Sequence, residues 1–324
     1  MGLVGIALGL TVAVLWGIAD SIATLATRRL QPLLTTFISQ SAGLIAIMAF
    51  ALLTSWFWLA FTFPQPALAR GVLLAFCTGI FATGGYLIFY HALKIGPVAL
   101  VSPISSTSAA VTLVLALLLL QESMTFLQVI AIALLLLGVI VASANFLEVR
   151  TLLKNSDNAL LSRGVMWAIV AALAFGAMDF GIGATARTVG WFLSVLWARS
   201  FSLFFLTLIL CLRVYRDRPK TIEKGNWSGK EHNKRIQIPR SFPLSVTGAM
   251  LAIVAGLMEI SAVMIFSIDT QIAMTGVTAA IASNYSLVVI AFGYLVFRER
   301  LVLHQFFGIG LVICGLFVLA FSPI

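Results

Sequence analysis

The chain has 324 residues, of which 61% are hydrophobic and only 10% charged, and its mean hydropathy is +1.10. So little polar side chain cannot clothe a soluble domain of this length, which excludes water-soluble enzymes and points to an integral membrane protein. The net charge of +9 accompanies an apolar body, which argues for basic loops beside a bilayer and against a nucleic-acid partner.

A bilayer core of about 30 Å needs about 20 apolar residues per helix. Ten such runs follow one another, at 3–26, 33–55, 71–90, 98–120, 126–144, 165–184, 191–212, 244–266, 275–297 and 302–321. Continuous stretches such as ALLLL and IALLLLGVIVA differ from the alternating segments of a membrane barrel, so the expected class is all-α with ten transmembrane helices.

The first run carries Trp16, Gly17 and Asp20. It has no basic n-region and is too long for the apolar region of an ordinary signal peptide. The second holds Gln40, and the third ends in His91 and Lys94, placed to snorkel to the interface. The fourth opens with Ser102, Ser105, Ser106, Thr107 and Ser108, and Glu122 in the following turn reads as a helix cap or loop ion pair. After the fifth run and a linker at 146–162, the sixth carries Phe175, Gly176 and Asp179. The seventh contains Arg199 and leads into a basic loop at 213–241, the eighth contains Glu259, and the ninth contains Thr275, Thr278, Ser283, Asn284 and Tyr285. Glu299 follows between Arg298 and Arg300. Gly5 and Gly9 in the first run and Gly308, Gly310 and Gly315 in the last permit close helix contact, within one chain or in a homodimer. Cys77, Cys211 and Cys314 lie inside runs with no metal-ligand or redox spacing.

The halves repeat each other. A shift of 159 residues places Trp16, Gly17, Asp20 and Gln40 on Phe175, Gly176, Asp179 and Arg199. A shift of 177 places Glu122, Gln128 and Gly138 on Glu299, Gln305 and Gly315. The expected domains are 1–145 and 163–324, each of five helices. Because five is odd, the second unit enters the membrane from the opposite side, which makes an inverted repeat of the kind that supports alternating access.

The WG of the first run, YHALKIGPVALVSPI, the Gln-Glu-Ser turn and the glycine-bearing last helix of each half resemble the EamA domain of the drug/metabolite transporter superfamily. IADSIATLATRRL also resembles the first helix of the small multidrug resistance branch, in which the matching acid binds protons and substrate cations in turn. That resemblance implies the same role for Asp20, with Asp standing where that branch has Glu.

A carboxylate in a membrane span costs about 2.5–3.5 kcal/mol on insertion scales, so it is expected to face protein or a watery cavity. Position along each run places Asp20 and Gln40 together on one side of the midplane and Asp179, Arg199 and Glu259 together on the other. Arg199 is expected to pair with Glu259 or Asp179, leaving one carboxylate over to exchange a proton for a cationic group. Ser106, Asn284 and Tyr285 are further candidates to line a central cavity, and Trp16 and Phe175 to wall it. No nucleophile and base pair, phosphate loop or metal-ligand spacing is present, so neither an enzyme nor a cofactor is expected.

Counted by face, 17 of the Lys and Arg residues fall on the side of the basic loop and two on the other. The positive-inside rule then makes that loop cytoplasmic and puts both termini outside, whereas the family resemblance implies termini inside. The expected function is a secondary transporter in the cell membrane, a proton-coupled exporter of a small organic metabolite, amino acid or cationic compound. The alternatives are an uncoupled facilitator or exchanger, and a membrane receptor or assembly partner that transports nothing.

Overall fold

The computed structural model describes residues 3–54, 56, 64–95, 98–143, 158–216, 245–297 and 303–321. They form eleven helices and, among the described residues, no strand: α1 (Leu3–Arg29), α2 (Pro32–Thr54), α3 (Gln65–Ile95), α4 (Val98–Ser106), α5 (Ser108–Leu119), α6 (Phe126–Ser143), α7 (Asn158–Arg216), α8 (Val246–Ile272), α9 (Thr275–Ala282), α10 (Tyr285–Phe297) and α11 (Leu303–Ala320). Most of the linker, the basic loop beyond residue 216 and the Arg298-Glu299-Arg300 turn lie outside the described residues.

Seven helical stretches are long and apolar enough to cross a membrane, and α6 and α11 contribute shorter apolar helices. The exterior suits lipid, with Leu52, Leu53, Phe126 and Phe307 each more than 60% exposed. α7 runs for 59 residues, about 88 Å if straight, but Gly190 at φ 83° and ψ 159° breaks it into two arms. That backbone conformation suits glycine, which explains why two expected runs meet without a loop.

The expected fourth and ninth helices are each broken. α4 stops before Thr107 and α9 before Ser283 and Asn284. Side chains satisfy the backbone groups released there. Ser106 donates to the Pro103 carbonyl at 2.7 Å and Thr107 to that of Ile104 at 2.6 Å. Ser283 donates to Ala280 and Asn284 Nδ2 to Ile281, both at 2.7 Å. Pro103 lacks an amide hydrogen and weakens the first helix, whereas the second breaks on Ser and Asn alone. Broken helices persist at membrane depth only where protein or a cavity surrounds them.

Helix packing recurs at the two sequence shifts. Gly17 of α1 lies against Tyr285 and Val288 of α10, and Gly176 of α7 lies against Ser108 and Val111 of α5. In each case an added Cβ would stand 2.7 Å from a carbonyl oxygen, of Tyr285 or of Ser108. Gly138 of α6 touches Gly308 and Val312 of α11, while Gly315 of α11 touches Ala131 and Leu135 of α6. These small residues let helices approach to backbone contact in the absence of a hydrophobic drive between them. The glycines of the last helix thus serve contacts within the chain, apart from Gly310, beside which nothing lies within 4 Å.

Candidate functional site

Six helices converge on a cavity of about 40 Å³. α1 supplies Trp16 and Asp20, α3 Tyr86, α5 Ser108, α7 Phe175, Met178 and Asp179, α8 Glu259, and α10 Tyr285. A second cavity of about 20 Å³ shares Tyr86, Met178 and Glu259 with the first and continues to Gln40, Thr78, Arg199 and Ser202. The two are neighbours by virtue of these shared residues.

Glu259 and Arg199 are each only 5% exposed, and they form a buried ion pair. Arg199 Nη2 donates to Glu259 Oε2 and its Nη1 to Gln40 Oε1, while the Tyr86 hydroxyl donates to Glu259 Oε1 at 2.5 Å. Both carboxylate oxygens are therefore engaged, and the planar guanidinium is held at two nitrogens. Such double satisfaction is what makes a charge pair tolerable in a low-dielectric interior.

Asp179 differs. It is 5% exposed, yet its Oδ1 has no hydrogen-bond partner among the described residues, and neither does Trp16 Nε1. Asp20, half-buried, lines the same cavity. Aromatic rings enclose the space. Trp16 packs against Phe266 at 5.5 Å between centroids and edge-on to Tyr285 at 6.3 Å, and Phe175 meets Tyr86 at 5.1 Å and Phe89 at 5.5 Å. The cavity thus has two acids without a basic partner among the described residues, one paired acid, and walls whose ring faces attract cations.

The expected residues fall in three groups. Asp20, Asp179, Glu259, Tyr285 and Trp16 come together at the first cavity, and Phe175 with them. Gln40 and Arg199 line the second cavity. The expectation of one polar group on each side of the midplane does not hold, because Gln40 hydrogen-bonds Arg199 and Asp20 shares a cavity with Asp179 and Glu259. Depth read from sequence position ignores helix tilt, and helices as long as the 31-residue α3 exceed the bilayer and must tilt. Ser106 and Asn284 are buried at the helix breaks with their side chains turned onto backbone carbonyls, and neither is among the residues lining these two cavities.

Sequence reasoning missed Tyr86. In GGYLIFYHALK it resembles an aromatic near the interface, but it and Tyr90 stand four residues apart on one helix face, and both are buried. Of the serines that open the fourth run, Ser108 lines the first cavity and Ser106 does not.

The chain resembles known proteins at three levels. Residues 3–144 match the model of the EamA-like transporter family. An uncharacterized protein of Methanocaldococcus jannaschii is 31% identical over 138 residues, a match that covers 95% of that protein and 43% of this chain. A protein of known crystal structure superposes with a TM-score of 0.65 over 98% of this chain and 97% of its own, at 15% identity, which is a likeness of fold alone. With its apolar helices and broken central spans already established, the chain is a multi-pass membrane protein that belongs to the EamA-like transporter family.

Proposed function

We propose that the protein is a secondary transporter exchanging protons for a small organic cation, by alternating access between two inverted five-helix repeats at 1–145 and 163–324. The observation that carries this reading is the imbalance at the cavity. Three carboxylates line it, while Arg199, the one guanidinium beside them among the described residues, is already committed to Glu259 and Gln40. An uncompensated carboxylate in a dry site is neutralised either by a proton or by a bound cation, and that mutual exclusion is the elementary step of an exchanger. The bonds held by Arg199 also weigh against its gripping a substrate carboxylate, so an amino acid fits less well than an amine or quaternary ammonium compound.

Several features support the ten-crossing repeat. The two arms of α7 count as two crossings, α4 with α5 as one, α9 with α10 as one, and the remaining six helices as one each. The glycine contacts and helix breaks recur at the shifts of 159 and 177. Gln40 and Arg199 are equivalent under the first shift and touch each other, which fits a pseudo-two-fold axis passing between them. The matching of a whole relative by less than half of this chain also fits two units, each of a size to stand alone.

On this reading the basic loop at 213–241 is cytoplasmic, in the cell membrane, and export is the direction of net transport. Binding to purified protein tests the substrate class. Phenyltrimethylammonium is expected to raise the unfolding temperature more at pH 8 than at pH 6, because protons compete for the same acids. Phenylalanine, with a ring of the same size and a carboxylate, is expected to give a smaller shift at both. A larger shift with phenylalanine would return Arg199 to the substrate site and refute the cation assignment.

A further inference from the structure

Away from the cavity, one acid ties the two halves of the chain together. Glu122 follows α5 in a turn where Gln121 has φ 53°, the one positive φ at a non-glycine residue among those described. Its side chain is only 3% exposed although it lies at a helix end. The carboxylate accepts from the amide hydrogens of Thr275 at 2.7 Å and Gly276 at 3.2 Å, the first two of α9, and from Arg187 Nη2 at 2.5 Å. Arg187 in turn donates to the carbonyls of Thr270 at 3.3 Å and Ala273 at 3.4 Å, where α8 ends. A single carboxylate therefore caps a helix of the other half and, through one guanidinium, fastens the end of α8 and the first arm of α7.

The same elements line the cavity. Arg187 lies eight residues beyond Asp179 on α7, about 12 Å along the helix, and Thr270 lies eleven beyond Glu259 on α8, about 16 Å. α5 and the α9–α10 pair run from the cavity to the same place, from Ser108 to Glu122 and from Tyr285 back to Thr275. Four walls of the cavity thus close on one knot at one end of the bundle. By the shifts of 159 and 177, Arg28 and Glu299 are the counterparts of Arg187 and Glu122, and Glu299 lies outside the described residues.

We infer that Glu122 and Arg187 form a latch that holds the passage shut at the Glu122 end, and that it breaks whenever the cavity opens toward that side. The unfavourable backbone at Gln121 fits a turn kept for aiming Glu122 across the halves, since such strain persists where surrounding contacts impose it. The inference rests on the transporter reading for its purpose, but its test needs no transported substrate.

The test is side-specific labelling of Ser108→Cys in a background with Cys77, Cys211 and Cys314 replaced by Ser. A membrane-impermeant maleimide is applied from either side of sealed membranes, and Ile272→Cys, at the exposed end of α8, reports which side the latch faces. With the latch intact, Ser108→Cys is expected to react slowly from that side. Glu122→Ala is expected to raise that rate at least tenfold and to lower labelling from the opposite side. Arg187→Gln, at a side chain one-third exposed, is expected to do the same more weakly and guards against misfolding. Unchanged labelling from the latch side in a folded Arg187→Gln protein would overturn the inference, as would faster labelling from both sides together, which marks loosening and not gating.

Discussion

Arg199, Glu259, Gln40 and Tyr86 form one unit, and its members are not interchangeable. Arg199→Ala leaves the Glu259 carboxylate buried without its cation, a loss expected to cost about 3–5 kcal/mol. The check is the thermal unfolding of the purified variant, with Arg199→Ala combined with Glu259→Gln recovering much of the loss because no charge is then stranded. Lys is a poor substitute at 199, since a single ammonium cannot reproduce the fork that reaches Gln40 and Glu259 at once. Asp179 behaves in the opposite way. Its Oδ1 is unpartnered, so Asp179→Asn is expected to preserve stability while removing the pH dependence of phenyltrimethylammonium binding. If the variant keeps the wild-type dependence, Asp179 is not where proton and cation compete.

At the level of helices, glycine placement decides how close two elements come. A Cβ at Gly138 would stand 2.8 Å from the Gly308 carbonyl oxygen, so Gly138→Ala forces α6 from α11 and is expected to cost about 1–3 kcal/mol. Gly310→Ala meets nothing and is expected to be neutral or slightly stabilising, so the pair of unfolding temperatures checks the contact directly. Gly190→Ala is expected to destabilise through its backbone, because φ 83° is unfavourable for a residue with a Cβ. The helices themselves were largely legible in the sequence, since each apolar run of bilayer length became helix. The breaks were not, because Ser106, Thr107, Ser283 and Asn284 read equally well as cavity-lining polar groups. Only the geometry turns their side chains back onto carbonyls one turn away.

At the scale of the molecule, Asp20 and Asp179 stood out because a charge in an apolar run is conspicuous, and the shift between them exposed the repeat. What the linear pattern hid was contact across the halves. Gln40 with Arg199, Tyr86 with Glu259, and Glu122 with Thr275 and Gly276 join residues more than 150 positions apart, and neither periodicity nor depth counting carries that information. These contacts hold Gln40, Arg199, Glu259 and Tyr86 together beside the cavity acids.

The most direct test of proton exchange at the cavity acids uses sealed proteoliposomes containing a trapped pH indicator. Phenyltrimethylammonium suits it because a permanent charge prevents passive crossing. The account predicts that adding the cation outside drives protons out of wild-type vesicles at a rate set by the cation gradient, and that Asp20→Asn with Asp179→Asn abolishes this flux. Cation entry with no accompanying proton movement, or proton flux unchanged in the double variant, would contradict it.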